Sequence, residues 1–552
     1  MSSASLSLRR AALPLALATA VSLFGLPAAA LAQSAGEALP DMGSSAASLI
    51  TPADEARFAA MVMRELRRQD ALIEDPLVVA WLQGLGFRIA AASGEPDHGY
   101  YFFMMRDRQI NAFATLGGLV GMNAGLVLEA EREDEVAGVL AHEVAHVTQR
   151  HLLRSAERAQ KNQLPIMLAM LGAVAAASQS DARNSGDAVS AAVVGAQALM
   201  VQMQIDYTRS NESEADRIGI ETLTRAGFDP FGIADFFGRL ARVSRNNSGG
   251  LQAPEYLRTH PVTTTRIAEA RERATRLAAQ PPPPLKAVSR DPHLLLPELL
   301  RPTAALPAAE EFAWARERLR VLSAASARDA VAEYEVRGWR DGAPEVRYGY
   351  ALALTRDGRA AEALNVLDAL LQVEPRKLWL RLAAAEAAHK AGRAADARQR
   401  FEALLADFPV HRAVSLSYAE ALNETGSVAS GARAQQVLRL LLAGGDEDAL
   451  LQQRFARASE LAGDANRASE AHAEAAFLNG RAEDALKLLA NLKDRDDVDY
   501  VQRARVEARM AELMPVVLEM RRMGFRPQDQ GRPRPARAAA PSSAPMTLPL
   551  QP

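Results

Sequence analysis

His142-Glu143-Val144-Ala145-His146 sets two imidazoles four residues apart with a carboxylate between them. Positions i and i+4 of a helix project from one face, so His142 and His146 can share one Zn2+, with one ion expected per chain. Glu143 lies beside them and can take a proton from water on that ion. A catalytic zinc also needs a third protein ligand and an open position. Asn211-Glu212-Ser213-Glu214-Ala215-Asp216 offers that ligand, because Glu212 and Asp216 share a helix face. In one reading Glu212 is the third ligand and Asp216 hydrogen-bonds a ligand histidine, fixing its tautomer. Glu214 points about 160° away at helical spacing and is a poor partner for the same ion.

Other residues extend or restrict this set. His151 lies five residues past His146, off the ligand face, and is left out. His260, in Thr259-His260-Pro261, enters the next helix from a non-helical segment. It either reaches the metal from a loop or caps that helix. As a fourth protein ligand it would displace water and silence the site. Arg266 either steadies a developing oxyanion or pairs with an acid. His98, His293, His389, His411 and His472 have no ligand spacing.

The elements that must carry these residues are mostly helical. Glu133-Asp134-Glu135 suits a helix N-terminus, where acids meet the positive end of the dipole, and Val136, Val139 and Leu140 follow at helical spacing. Before that helix, Ile110 to Val127 reads as a short strand or hairpin around Gly117-Gly118. It is either a plain structural sheet or an edge that pairs with an extended substrate by strand addition. After it, Leu164–Ser178 and Val189–Met203 form two apolar segments, each short for a membrane span of about 20 residues. They read as a helical hairpin (164–203) that covers the cleft, touches lipid peripherally, grips unfolded substrate, or forms buried core.

The 552 residues exceed one core and imply two or three domains. With 64 Lys+Arg against 67 Asp+Glu, the net charge of −3 gives no electrostatic case for nucleic acid. The absence of Cys excludes disulfides, cysteine nucleophiles and thiolate metal sites. Residues 1–32 show a basic start (Arg9, Arg10), an apolar stretch and the small-x-small site Ala30-Leu31-Ala32, the pattern of a cleavable signal peptide for export. An extended lead-in (33–50) precedes the domain bearing the histidines (51–280). Pro281 to Pro284 opens a stiff linker (281–309), and a Pro-rich tail (526–552) is too apolar-poor to fold.

Residues 310–525 repeat. Gly358, Gly392 and Gly426 are spaced 34 residues apart, as are Pro375 and Pro409. A helix–turn–helix unit of this length, with Gly at the turn and Pro at its end, is the tetratricopeptide pattern. Such arrays stack into surfaces that bind other proteins. The expected fold is therefore mainly α with a small β-sheet: an α+β domain bearing the zinc-binding motif, followed by an all-α repeat array.

The order Leu39-Pro40-Asp41-Met42-Gly43, Asn111-Ala112-Phe113, Ala141 to His151, Asn211 to Gly219, Gly227-Phe228-Asp229-Pro230 and Thr259-His260-Pro261 resembles the periplasmic β-barrel assembly-enhancing proteases. These are secreted gluzincin metalloproteases joined to tetratricopeptide repeats. The resemblance is close over residues 39–275 and looser over the repeats. It implies His142, His146 and Glu212 as zinc ligands, Glu143 as general base, Asp216 as a second acidic catalytic residue and His260 as a regulatory fourth ligand. It further implies a periplasmic endopeptidase with chaperone-like activity. Its partners would be unfolded or stalled outer-membrane β-barrel proteins and, through the repeats, the barrel assembly machinery. The alternative is a repeat scaffold or chaperone whose latched protease site is mostly silent.

Overall fold

The computed structural model describes residues 50–158, 208–246, 254–279, 309–442 and 448–522. The expected signal peptide, the apolar hairpin 164–203, nearly all of the linker and the tail 526–552 lie outside the described residues. The rest is mainly helical with one small sheet, as the residue composition and periodicity imply.

Helix α1 (Pro52–Arg68) starts at a capping box, with the Thr51 and Asp54 side chains each accepting from the other's backbone and Pro at the first turn. Helix α2 (Pro76–Ala91) starts at Asp75, whose carboxylate accepts from Leu77 and Val78 N–H. Strands β1 (Tyr101–Met105), β2 (Ala112–Thr115) and β3 (Leu119–Asn123) form a sheet of order β1-β3-β2. β1 runs parallel to β3, with Phe102 opposite Val120, and β2 antiparallel to it, with Phe113 opposite Gly121.

The pleat divides the sheet's side chains between two layers. Phe103 and Leu119 pack under Val62 and Met63 of α1. Phe102, Met104, Val120 and Met122 join Trp81, Leu82 and Ile89 of α2 in the main core. Gly121 is required where the Phe103 and Phe113 rings meet edge to face, since a Cβ there would lie 2.6 Å from Phe113 Cζ.

A short α3 (Ala124–Glu129) leads to α4 (Glu133–Thr148), the helix of the two histidines, which is buried along almost its whole length. A second short break separates it from α5 (residues 151–158). Helix α6 (residues 208–225), α7 (Gly232–Asn246), α8 (Glu255–Thr259) and α9 (Thr264–Ala278) complete this part.

The remaining described helices run from α10 (Ala309–Leu322) and α11 (Ala327–Arg337) through α12 (Pro344–Arg356), α13 (Ala360–Val373), α14 (Leu378–Lys390), α15 (Ala394–Asp407), α16 (Arg412–Thr425) and α17 (Val428–Leu442). They close with α18 (Ala449–Leu461), α19 (Ala465–Leu478), α20 (Ala482–Lys493) and α21 (Tyr500–Arg522). Gly358, Gly392 and Gly426 adopt positive φ of 81°, 76° and 74°, the left-handed turn that ends a helix and that glycine accepts at least cost. Buried alanines such as Ala383, Ala384, Ala387 and Ala388 of α14 let neighbouring helices approach closely.

The first of these helices serves the core of the first half as well as its own array. Phe312 of α10 packs on Trp81, with ring centroids 6.2 Å apart, and the buried Arg318 donates to Asp75 at 2.8 Å. Arg106 donates to the Leu322 carbonyl, and Arg108 to Ser323 Oγ and the Arg320 carbonyl.

Candidate metal centre

Helix α4 is held at its N-terminal turn. The Trp81 indole N–H donates to Glu133 at 2.8 Å, and Arg239 pairs with Glu135 at 2.8 Å. Gly138 lets α7 approach, since a Cβ there would meet the Ile233 backbone nitrogen at 2.7 Å. Gly219 does the same for α6: a Cβ there would lie 3.1 Å from the Cα and N of His142. That close approach sets Glu212 and Asp216 against the histidine face of α4.

His142 Nε2 and His146 Nε2 lie 3.0 Å apart, and each is 3.4 Å from a Glu212 oxygen. His260 enters from the turn after α8. Its Nδ1 is 3.0 Å from both Glu212 oxygens and 3.4 Å from His142 Nε2. The imidazole stacks on Tyr256, centroids 4.8 Å apart at 27°. It does not cap the following helix: Thr263 does, accepting from Arg266 N–H at 3.2 Å. Arg266 is buried and makes a two-point pair with Asp216 at 2.7 and 2.8 Å, while reaching Glu212 at 3.0 Å. The acid pair expected of it is thus present. Asp216 Oδ1 lies 3.0 Å from His142 Nδ1.

Burial and charge act against each other throughout the cluster. Burial resists charge on His142, yet its bonds to Asp216 and Glu212 prevail and push the ring up to about 10. Burial together with the His142 charge drives His146 well below the usual imidazole range. Burial would raise Glu212, but His260 and His142 hold it far below the usual carboxylate range. Burial pushes the Glu143 carboxyl up, against the pull of His260 and His142.

These residues fit a metal ion. His142, His146, Glu212 and His260 each offer one ligand atom, all within 4.8 Å of one another. Two bare imidazole nitrogens that face each other at such range repel unless a proton or cation lies between them. The set of two or three nitrogens and a carboxylate suits zinc. Both carboxylate oxygens of Glu143 are buried without a hydrogen-bond partner, as is the Tyr256 hydroxyl. Buried orphans of this kind mark a place where water or a reacting group is accommodated.

Tyr256 has no motif around it that sequence reasoning could use; only its place four residues before His260, one helical turn away, connects them. His151 and Glu214 are also near the cluster. His151 Nδ1 lies 2.9 Å from His146 Nδ1, not in the ligand set but directly behind it.

Comparison with known proteins bears on the same stretch. The pattern of peptidase family M48 matches residues 76–274, and a tetratricopeptide-repeat pattern matches 354–419. A putative beta-barrel assembly-enhancing protease of Vibrio cholerae serotype O1 is 37% identical over 63% of this chain and 66% of its own length. The beta-barrel assembly-enhancing protease of Escherichia coli strain K12 is 33% identical over 64% of this chain and 67% of its own. Mitochondrial metalloendopeptidase OMA1 of Saccharomyces cerevisiae is 32% identical over 28% of this chain and 41% of its own. The two bacterial matches thus span about two thirds of those relatives.

Proposed function

This chain belongs to peptidase family M48, with the beta-barrel assembly-enhancing proteases, and from that premise we propose a periplasmic zinc endopeptidase that acts on unfolded or stalled outer-membrane β-barrel proteins. The single observation that carries this reading is the buried cluster of His142, His146, Glu212 and His260 beside the unpartnered carboxylate of Glu143. Export by the signal peptide 1–32 supplies the compartment, and the repeats supply a chaperone-like hold on substrate and a contact with the barrel assembly machinery.

His142, His146 and Glu212 would hold the zinc. When bound, the ion supplies Lewis acidity: it polarises a scissile carbonyl and makes water acidic near neutral pH. Glu143 takes the proton of the attacking water on a carboxylate oxygen and hands it to the leaving amine. Asp216 keeps His142 turned with Nε2 inward, and Arg266 keeps Asp216 in place. The extended substrate adds as a strand to β2, the sheet edge whose Ala114 lies beside Glu143.

His260 favours a second reading for the resting state. Seated against Glu212 and His142, it would serve as a fourth ligand in place of water, so that the array works as a scaffold or chaperone until the loop at Thr259–Pro261 withdraws.

One pair of variants tests both readings. Glu143→Gln lowers cleavage of an unfolded reporter protein by about 10²–10⁴-fold. His260→Ala raises it while zinc content stays unchanged. A Glu143→Gln chain that cleaves normally removes the mechanism. If that variant fully restores outer-membrane integrity to cells lacking the gene, proteolysis is not the main function.

A further inference from the structure

Behind His146 runs a set of contacts that the reaction does not itself use. His146 presents Nε2 to the cluster, and its Nδ1 lies 2.9 Å from Nδ1 of His151. His151 Nε2 lies 3.1 Å from Glu214 Oε2, and Arg154 donates to that same oxygen at 3.1 Å. His151 is buried, whereas Glu214 is half-buried.

The hydrogen-bond chemistry allows one assignment of protons. A carboxylate only accepts, so the His151 Nε2–H donates to Glu214. The Glu214 charge is already balanced by Arg154, so nothing calls for a second cation, and the buried His151 ring stays neutral. Its Nδ1 is then a bare acceptor. His146 must donate to it from Nδ1–H, which leaves the lone pair of His146 on Nε2, aimed into the cluster.

We propose that His151 and Glu214 are positioning residues that fix the tautomer and ring orientation of His146 for metal binding. Asp216 stands in the same relation to His142, but directly, with Arg266 behind it where Arg154 stands behind Glu214. Each ligand imidazole is thus backed by a carboxylate held by an arginine, once at first hand and once through an intervening ring.

The backbone is bent to make this possible. On an uninterrupted helix His151 would lie about 140° round the axis from His146. Instead Arg150 takes a left-handed conformation, φ 51°, between α4 and α5. A non-glycine residue held there is strained. The turn it makes returns His151 to the face of His146.

This inference rests on the zinc reading, and the test separates the two. Zinc affinity is measured on the mature chain by competition with a chromophoric chelator, and the Co2+-loaded chain is examined by visible absorption. His151→Asn keeps an acceptor at the Nδ1 position, its amide ending short of Glu214; His151→Leu has no acceptor. Leu weakens zinc binding by roughly 10–100-fold and shifts the Co2+ bands, and Asn restores most of both. Glu214→Met removes the outer acceptor without touching the buried ring and weakens binding in the same direction, so the proposal stays testable if His151→Leu fails to fold. Equal loss in Leu and Asn would make His151 a packing residue and overturn the proposal. So would native affinity in Leu and Met. A wild-type chain that takes up no zinc would remove the zinc reading and this inference together.

Discussion

Glu133 shows how one buried group sets a pH dependence outside the reacting cluster. It stands at the first turn of α4, and burial pushes its carboxyl up to about 7, the Trp81 indole N–H only partly offsetting this. The folded chain then holds a proton that the unfolded chain has released above about pH 4.5. The raised value means stability is full below about pH 4.5 and falls as pH rises through about 7. The shift bounds the effect at about 3 kcal/mol, and the positive helix end lowers it by some 0.3–1 kcal/mol. Glu133→Gln keeps an acceptor for Trp81 and has no charge to desolvate. Its unfolding free energy from urea titration should match wild type near pH 4.5 and exceed it at pH 8 by about 1–3 kcal/mol. Equal midpoints at both pH values would show that Glu133 is solvated.

At the scale of elements, the contact of α6 with α4 sets the cluster, and Gly219 sets that contact. Gly219→Val places a branched side chain where a Cβ alone would already be 3.1 Å from His142 backbone. α6 must retreat, carrying Glu212 and Asp216 with it. The expected cost is about 1–3 kcal/mol of stability, together with weaker zinc binding. Native zinc affinity in this variant would show that α6 does not set the ligand spacing. How much of this was legible follows from which elements keep a simple period. The motif helix and the shared face of Glu212 and Asp216 obey helical spacing, so they could be read directly. The hairpin of β2 and β3 was legible from apolar residues around Gly117-Gly118. β1 was not, because Tyr101-Phe102-Phe103-Met104-Met105 serves two packed faces and loses the alternation that marks a strand. His151 stays outside the ligand set as expected, but its contact with His146 was not legible, because a helical wheel assumes an unbroken helix and Arg150 breaks it.

At the scale of the whole molecule, the repeats are joined to the first half by more than their chain connection. That joint was not visible in the sequence, since nothing in the spacing of Phe312 and Arg318 marks a partner outside residues 310–525. Arg318 is buried, donates to Asp75 from two nitrogens and reaches the Tyr348 hydroxyl at 3.2 Å. Asp75 also caps α2. Asp75→Ala therefore leaves the buried guanidinium with only Glu386 at 3.8 Å and the Tyr348 hydroxyl, at a cost of at most about 3–5 kcal/mol, and removes a cap worth about 1. Asp75→Asn keeps the cap and should lose less. The check is the denaturation midpoint of both variants, with limited proteolysis of the folded chain. Wild-type midpoints would show that Arg318 finds another partner, and the joint would then rest on the Trp81–Phe312 contact and the Arg106 and Arg108 hydrogen bonds.

The central claim is that the cluster on α4, α6 and the His260 turn is a zinc site. Metal analysis of the purified chain tests it most directly, alongside a His142→Ala/His146→Ala double variant of equal purity and folded content. The account predicts about one zinc per wild-type chain and none in the double variant. A wild-type chain without zinc, or a double variant that keeps it, would contradict the account.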